Sequence, residues 1–338
     1  MTTPPVIEQL LQVVERDPTP VNYTSSYWQE YAAQNTARME EGRLVLRGFG
    51  IGDVGRPRLH GRLLHQLERL SYRRVTRSLP AYPMVWRMTQ RLARDLGFGL
   101  TFDVWKSAVI VAILADHWKT FQLSPRTFAM IGDGYGFLGA LIRRALSGIR
   151  MYCMDLPTML VFQAAVHHRA DSRVTTSFLA EDGGTEEPSP VAVTFVLPQA
   201  IERICGLIDC AINVASMQEM NAVTIQTYFA FLRQRSGPQS RFYCLNRQRK
   251  VLPGGEVSSF SDYPWHEEDE IFLDGRCPYY THFFSQYQAA NGPRRLGLRV
   301  PFVNYFDGAH LHRLVRLAPR PSARTESLLN AHEKAGKA

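Results

Sequence analysis

The spacing of apolar residues along the chain changes near residue 127. Upstream, within residues 21–126, they recur at intervals of three and four. Tyr27-Trp28 is followed by Tyr31-Ala32, then by an apolar series from Val85 to Ala93, then by Val104, Trp105, Ala108, Val109, Ala112 and Ile113. That spacing gathers side chains on one face of a helix, so this region reads as mainly helical, strongest over 102–118. Downstream, short apolar runs alternate with helical patterns, as a parallel sheet with crossover helices requires. Strands are predicted over 127–131, 149–154, 191–196, 208–214 and 241–246, and helices over 137–147, 157–168, 199–204 and 222–235. Residues 177–190, with Gly183-Gly184 and two prolines, read as a polar loop. Two or three aromatic-rich strands and a charged loop extend to about residue 317. After Ala318 the chain is Pro, Ser, Ala and charge without period, which predicts disorder. The fold class is α/β. The predicted organisation is a helical N-terminal region over 1–126, an α/β sheet domain over 127–317 and a tail over 318–338.

Composition narrows the classes. Hydrophobic residues make up 45% of the 338 and charged residues 21%, ordinary globular usage. The first residues carry no signal-peptide pattern, and the longest clean apolar run, Ala108 to Ala115, is too short to span a bilayer. A soluble, cytoplasmic protein without a membrane partner is expected. The net charge of +8 raises nucleic acid as a partner, but the basic residues are dispersed and no RNA-reading or zinc-finger signature appears, so none is expected. The five cysteines form no C-x-x-C pair and read as free thiols.

Candidate chemistry begins at Ile131-Gly132-Asp133-Gly134-Tyr135-Gly136-Phe137. Three alternate glycines join a predicted strand to a predicted helix, where positive φ and close approach of a ligand to the backbone are needed. Asp155 closes the next predicted strand, where a carboxylate can accept both ribose hydroxyls of a nucleoside cofactor. Its competing role is an N-cap before Pro157. The second glycine-rich stretch, Gly48 to Gly55, runs straight into Arg56-Pro57 and reads as a loop or flap rather than a helix-opening site. Read from Gly134, the spacing Gly134-x-Gly136-x-x-Gly139 also fits a dinucleotide loop, which keeps an NAD(P)-dependent oxidoreductase as an alternative.

Four further segments accompany the loop: Asp155-Leu156-Pro157, Asn213-Val214-Ala215-Ser216-Met217-Gln218-Glu219-Met220, Tyr228-Phe229, and Phe242-Tyr243-Cys244-Leu245-Asn246-Arg247. Together they resemble the sugar O-methyltransferase family of class I S-adenosylmethionine (SAM) dependent enzymes, over about residues 127–250. The resemblance implies a Rossmann-like class I methyltransferase sheet of seven strands, SAM as cofactor, and a small-molecule acceptor carrying a sugar or sugar-like hydroxyl, as in natural-product biosynthesis. It implies cofactor contacts from Gly132, Asp133, Gly134, Tyr135, Gly136, Asp155, Leu156, Asn213 and Ser216. The N-terminal region is expected to cap the site and to offer a surface for pairing two subunits. In one respect the chain departs from the class: the acidic residue usual two positions before the first loop glycine is Met130 here. That carboxylate normally helps hold the ammonium of the methionine moiety. Its absence leaves open a protein that kept the fold and changed the reaction.

Methyl transfer from a sulfonium needs an aligned acceptor oxygen and usually a base. Glu219, just beyond the fourth predicted strand, is the first candidate, with helix capping as its competing role. His310 and His312 flank Leu311 and share one face of a predicted strand, and His282 follows Pro278-Tyr279-Tyr280. These three are the other candidate bases. His167-His168 reads as structural. The acidic run His266 to Glu270 reads as a solvated loop rather than a metal site, so no metal is assigned. Tyr263, Trp265, Tyr279, Tyr280, Phe283 and Phe284 could stack on an acceptor ring or form core.

Overall fold

The computed structural model describes residues 3–17, 24–31, 34–48, 73–180, 192–280, 283–284, 294–299, 303–304 and 308–319. An eight-stranded sheet organises them. From one edge it runs β5 (Thr175–Leu179), β6 (Ala192–Val196), β4 (Arg150–Met154), β3 (Thr127–Ile131), β7 (Cys210–Val214), β8 (Arg241–Arg247), the last strand (His310–Arg316) and the edge strand Glu270–Arg276. The first six are parallel, and the last strand is antiparallel to both of its neighbours. Chain order reverses direction between β3 and β7, and ligands of such sheets bind outside the carboxyl ends at that switch point. The sheet is Rossmann-like and mixed α/β, as the sequence reading expects.

Five helices cover one face: α1 (Pro5–Arg16), α3 (Tyr82–Leu96), α4 (Phe102–Thr120), α5 (Phe137–Ala145) and α6 (Pro157–Ala170); the short α2 (Ser26–Tyr31) belongs to the N-terminal segment. Their Leu10, Leu92, Ile110, Leu141 and Leu160 share one buried core with Phe128, Met130, Phe195 and Tyr243 of the sheet. The opposite face is covered by the 3-10 turn Pro198–Arg203 and by α7 (Ala222–Gln234), against Ala129, Ile131, Tyr152 and Phe242. Helix α4 is apolar nearly all round because it is packed between sheet and helices. Its carboxyl end is fixed at the amino ends of the strands: Trp118 lies edge-on to Phe128 at 5.8 Å, and Arg241 Nε donates to His117 Nε2 at 2.9 Å. The first turn of α4 therefore lies at the carboxyl ends. Among the described residues, no helix is long and apolar enough to cross a membrane.

The structure differs from the sequence reading in several places. The change of texture at residue 127 is not a boundary in the core, since α1, α3 and α4 supply the helical layer of the sheet itself. The mainly helical N-terminal region contains a hairpin, β1 (Thr36–Glu40) with β2 (Arg43–Arg47). The sheet has eight strands rather than seven, because β5 adds an edge strand parallel to β6 where a polar loop is predicted to begin. Edge strands can be polar because one side of their backbone faces no partner. The acidic run is not uniformly solvated. Asp269 is buried and accepts from Arg233 of α7 through both oxygens, Nη1 to Oδ1 at 2.6 Å and Nη2 to Oδ2 at 2.9 Å. It also takes the amides of His266 and Ala318. Tyr263, Tyr279 and Tyr280 are buried core and Trp265 packs on Phe229 and Phe242, so none of the four presents a free ring. Cys153, Cys210, Cys244 and Cys277 are buried and Cys205 exposed, all as free thiols. The stretch 49–72, which holds most of the Gly48–Gly55 segment, lies outside the described residues, as do His282 and the tail from 320.

Burial opposes ionisation of Asp269, but the Arg233 bonds outweigh it and hold the carboxyl below its usual range. Removing one partner strands the other charge in the core. Arg233→Met or Asp269→Asn is expected to cost about 3–5 kcal/mol in denaturant unfolding. The pair's contribution is held above the ordinary carboxylate range and lost as pH falls through the depressed native value.

Candidate functional site

The candidate site is built from the carboxyl ends of β3, β4, β7 and β8. After Ile131 the chain turns through Gly132, Gly134 and Gly136, all in the left-handed region at φ +69°, +58° and +83°. Two of these glycines are also sterically required. A Cβ on Gly132 would overlap Ser216 Oγ, and one on Gly136 would stand 2.9 Å from Gln163 Cα. The loop is thus pressed between the β7 turn and α6. Tyr135 leaves it to pack edge-on against Phe162 at 5.0 Å. Its hydroxyl lies where a Cβ on Gly48 would stand, so the hairpin β1–β2 delivers the start of the second glycine-rich stretch to the first.

Asp133 turns inward. Its Oδ2 accepts from Gly139 N at 2.7 Å, and Leu138 N adds a second backbone bond, so the carboxylate caps the first turn of α5. Its place in the site is through the backbone rather than through an outward side chain. Asp155 follows β4 and stays partly exposed. Its Oδ1 accepts from Leu156 N at 2.8 Å and its Oδ2 from Gln163 Nε2 at 2.7 Å. A carboxylate has about four acceptor positions, so these bonds orient it without exhausting it. Leu156 is buried at the start of α6, its amide spent on Asp155 and its carbonyl on Leu160 N, so it backs the site rather than offering it a polar group. Burial pushes both Asp133 and Asp155 up to about 7; Asp155 raises Asp133 further, and Glu219 raises Asp155.

Asn213 is fully buried and points at no ligand. Its Nδ2 donates to Ile131 O at 2.9 Å, while its Oδ1 accepts from Met217 N at 3.3 Å and from Asn246 Nδ2 at 2.8 Å. Asn246 Oδ1 accepts from Gln218 N at 3.0 Å, and Gln218 Oε1 accepts from Arg247 N at 2.7 Å. The two most specific sequence segments are therefore interlocked by side-chain amides. Between them Ala215 takes a left-handed φ of +58°, rare for a residue with a Cβ, and sets Ser216 over Gly132.

Glu219 lies in the 3-10 turn Met217–Glu219 that follows β7. The helix cap of α7 is Asn221, whose side chain accepts from Thr224 N at 2.8 Å, so Glu219 is not needed for capping. Its Oε1 instead accepts from Lys250 Nζ at 2.7 Å, and that ammonium sits 4.0 Å from the ring centroid of Tyr27. Burial raises the Glu219 carboxyl against the opposing pull of Lys250. Ser25 Oγ donates to Glu219 O, and Ser26 bonds Glu256 and Gly254, so residues 25–27 are tied to the turn that follows β7 and to the 254–256 turn downstream of β8.

His310 and His312 share a face, as expected, but both are buried among Tyr243, Tyr279 and Tyr280. His310 stacks on Tyr280 at 4.1 Å, at the carboxyl end of β8, and burial lowers it to about 3. His312 lies deeper, with Nδ1 3.3 Å from Tyr243 Oη, and burial lowers it to about 4. Neither gains the near-neutral pKa that suits a base. His167 is fully buried beside Arg143 and Cys153, a structural position. Among the described residues, no cluster of three or more His, Cys, Asp or Glu side chains gathers for a metal. Lys250, Asn246 and Gln218 are the site residues that sequence reasoning does not single out; only Asn246 and Gln218 lie inside segments it quotes.

No family model matches the chain, and no curated protein does. Among solved structures it is similar to the N-methyltransferase NodS of Bradyrhizobium japonicum WM9, at 12% identity and TM-score 0.35 over 58% of this chain and 87% of that one. It is similar to magnesium protoporphyrin IX methyltransferase of Synechocystis PCC 6803 with bound S-adenosylhomocysteine, at 13% and 0.35 over 62% and 83%. A Thermoplasma acidophilum protein gives 12% and 0.41 over 69% and 97%. Scores this low leave the activity to the chemistry of the site.

Native Asp133 and Asp155 hold protons between about pH 4 and pH 7 that the unfolded chain has already released, so they lower stability as pH rises through that interval. Asp155→Asn removes one of the two. Its melting temperature relative to wild type is expected to be higher at about pH 8 than at about pH 5; an equal difference at both pH values would show an unperturbed carboxyl.

Proposed function

We propose that the protein is a SAM-dependent O-methyltransferase acting on a hydroxyl of a sugar or a glycosylated small molecule. One observation carries the cofactor class: the glycine loop opens onto a site rich in buried carboxylates, and the helix that follows it is already capped by Asp133. A dinucleotide needs that helix N-terminus for its pyrophosphate. Here the amides of Leu138 and Gly139 are satisfied from within, and a pyrophosphate would lie against Asp155 and Glu219. A nucleoside carrying a positive centre suits the same surroundings, with the ribose hydroxyls on Asp155. The NAD(P) alternative is disfavoured on this ground. The sugar-type acceptor rests on the segments that carry the family resemblance.

When bound, SAM supplies an electrophilic methyl group on its sulfonium. The chain's own work is to hold and to align. Gly132, Gly134 and Gly136 keep the floor free of side chains, and Ser216 forms the wall beside them. Residues 25–27 brace the Glu219 turn, with Ser25 on its backbone and the Tyr27 ring over Lys250. Glu219 is the group to accept the acceptor's hydroxyl proton, because burial raises its basicity and Lys250 stabilises its ionised form. His310 and His312, held neutral and weakly basic, are second to it.

Calorimetry with S-adenosylhomocysteine and with NAD(P) on the folded chain tests the cofactor class. Tight binding of the first and none of the second is expected; the reverse would sink the proposal. Glu219→Gln is expected to lower turnover by about 10²–10⁴-fold with little change in cofactor affinity. Near-normal turnover with only a lower melting temperature would leave Glu219 a structural partner of Lys250.

A further inference from the structure

The first turn of α4 carries an ion pair that the reading above does not use. Lys106 Nζ donates to Asp103 Oδ1 at 2.6 Å and to Tyr280 Oη at 3.1 Å. Its side chain is 15% exposed and that of Asp103 is 34% exposed, so the ammonium is nearly enclosed while the carboxylate keeps a face to solvent. An ammonium has three donors, and among the described residues these are the two oxygens that Lys106 reaches. Asp103 Oδ2 makes no hydrogen bond to a described residue. Burial works against the charge on Lys106, but Asp103 and Tyr280 outweigh it and keep the lysine protonated.

The pair is held at the cofactor end of the molecule. Helix α4 runs antiparallel to β3 and β8, as the contacts at its other end require. Tyr280 stacks on His310, which is paired with Arg247 at the carboxyl end of β8. Lys106 also acts electrostatically on Asp133 in the glycine loop. Met130, by contrast, is 1% exposed within the core shared with α4. An ammonium in the site finds no carboxylate at that position, yet it finds Asp103 on the helix packed against the same face.

We infer that Asp103 and Lys106 form the subsite for an α-amino-acid zwitterion, the methionine end of the cofactor, with Asp103 taking the ammonium and Lys106 the carboxylate. This rests on the cofactor reading above and extends it to the half of the cofactor that Asp155 and the glycine loop do not address. Opposite charges three residues apart on a helix present a dipole that matches a zwitterion and rejects a ligand of either single charge. The Asp103 oxygen and the Lys106 donor that no described residue engages can take a ligand without breaking the existing pair.

The test compares two ligands that share the nucleoside thioether and differ in the amino-acid end: S-adenosylhomocysteine and 5′-methylthioadenosine, each titrated calorimetrically into the full chain. Lys106→Met and Asp103→Asn are each expected to weaken S-adenosylhomocysteine by about 10- to 100-fold and to leave methylthioadenosine within about twofold. Lys106→Arg is expected to retain most of the affinity. Methylthioadenosine binding also reports that each variant is folded at the site. Unchanged S-adenosylhomocysteine affinity in both variants, or equal loss of both ligands, overturns the subsite while leaving the cofactor class standing. Loss confined to acceptor KM overturns it in favour of acceptor recognition. If the wild type binds neither ligand, the cofactor reading itself fails.

Discussion

Three parallel strands end at one buried amide, and the geometry of the site hangs from it. Asn213 bonds the last carbonyl of β3, the amide of Met217 beyond β7 and the side chain of Asn246 near the end of β8. Buried polar groups are costly unless each is satisfied, so these bonds admit one arrangement of the strand ends. The left-handed turn at Ala215, the seat of Ser216 over Gly132 and the position of Glu219 all follow from it. This explains why the Asn-x-x-Ser-Met-Gln-Glu-Met and Phe-Tyr-Cys-Leu-Asn-Arg segments occur together: each completes the other's hydrogen bonds.

Around that frame, carboxylates are used in distinct ways. Asp133 is spent on α5, Asp155 stands partly exposed at the end of β4, Glu219 is balanced by Lys250, and Asp103 by Lys106. In a low-dielectric setting every such group raises its neighbours' affinity for protons, and a cationic ligand relieves the repulsion. The same arrangement disfavours a pyrophosphate. Charge, more than the spacing of glycines, separates the two cofactor classes here.

The N-terminal residues are part of this arrangement rather than an appendage. Their helices build one face of the core, residues 25 and 26 bond the turn after β7 and the 254–256 turn, and the hairpin β1–β2 brings Gly48 to Tyr135. Helix α4 does both jobs at once. Its middle is core, and its first turn holds the nearly enclosed Lys106 in its pair with Asp103 at the carboxyl ends of the strands.

By itself the sequence determined the buried parallel strands and the long helices, because β3, β4, β6, β7 and β8 are dense apolar runs and α4 and α7 keep a helical period over many residues. It determined the glycine loop and Asp155 for the same local reason: a strand, a turn and a carboxylate lie close together in the chain. The edge strand β5 and the hairpin β1–β2 escaped it. Thr175–Leu179 and Arg43–Arg47 are short and half polar, and only neighbouring strands make them pair. Nothing local distinguishes Asp133 from Asp155; the direction of α5 turns one carboxylate inward and leaves the other at the end of β4. Likewise Asp269 sits in a run of acids that reads as solvated, until Arg233 arrives from a helix far upstream. Asp103 and Lys106, three apart on a helix, carry no motif by which the sequence singles them out. Only the packing of α4 against β3 and β8 put their turn at the carboxyl ends of the strands, because which end of a helix meets which end of a sheet is fixed by contacts distant in sequence.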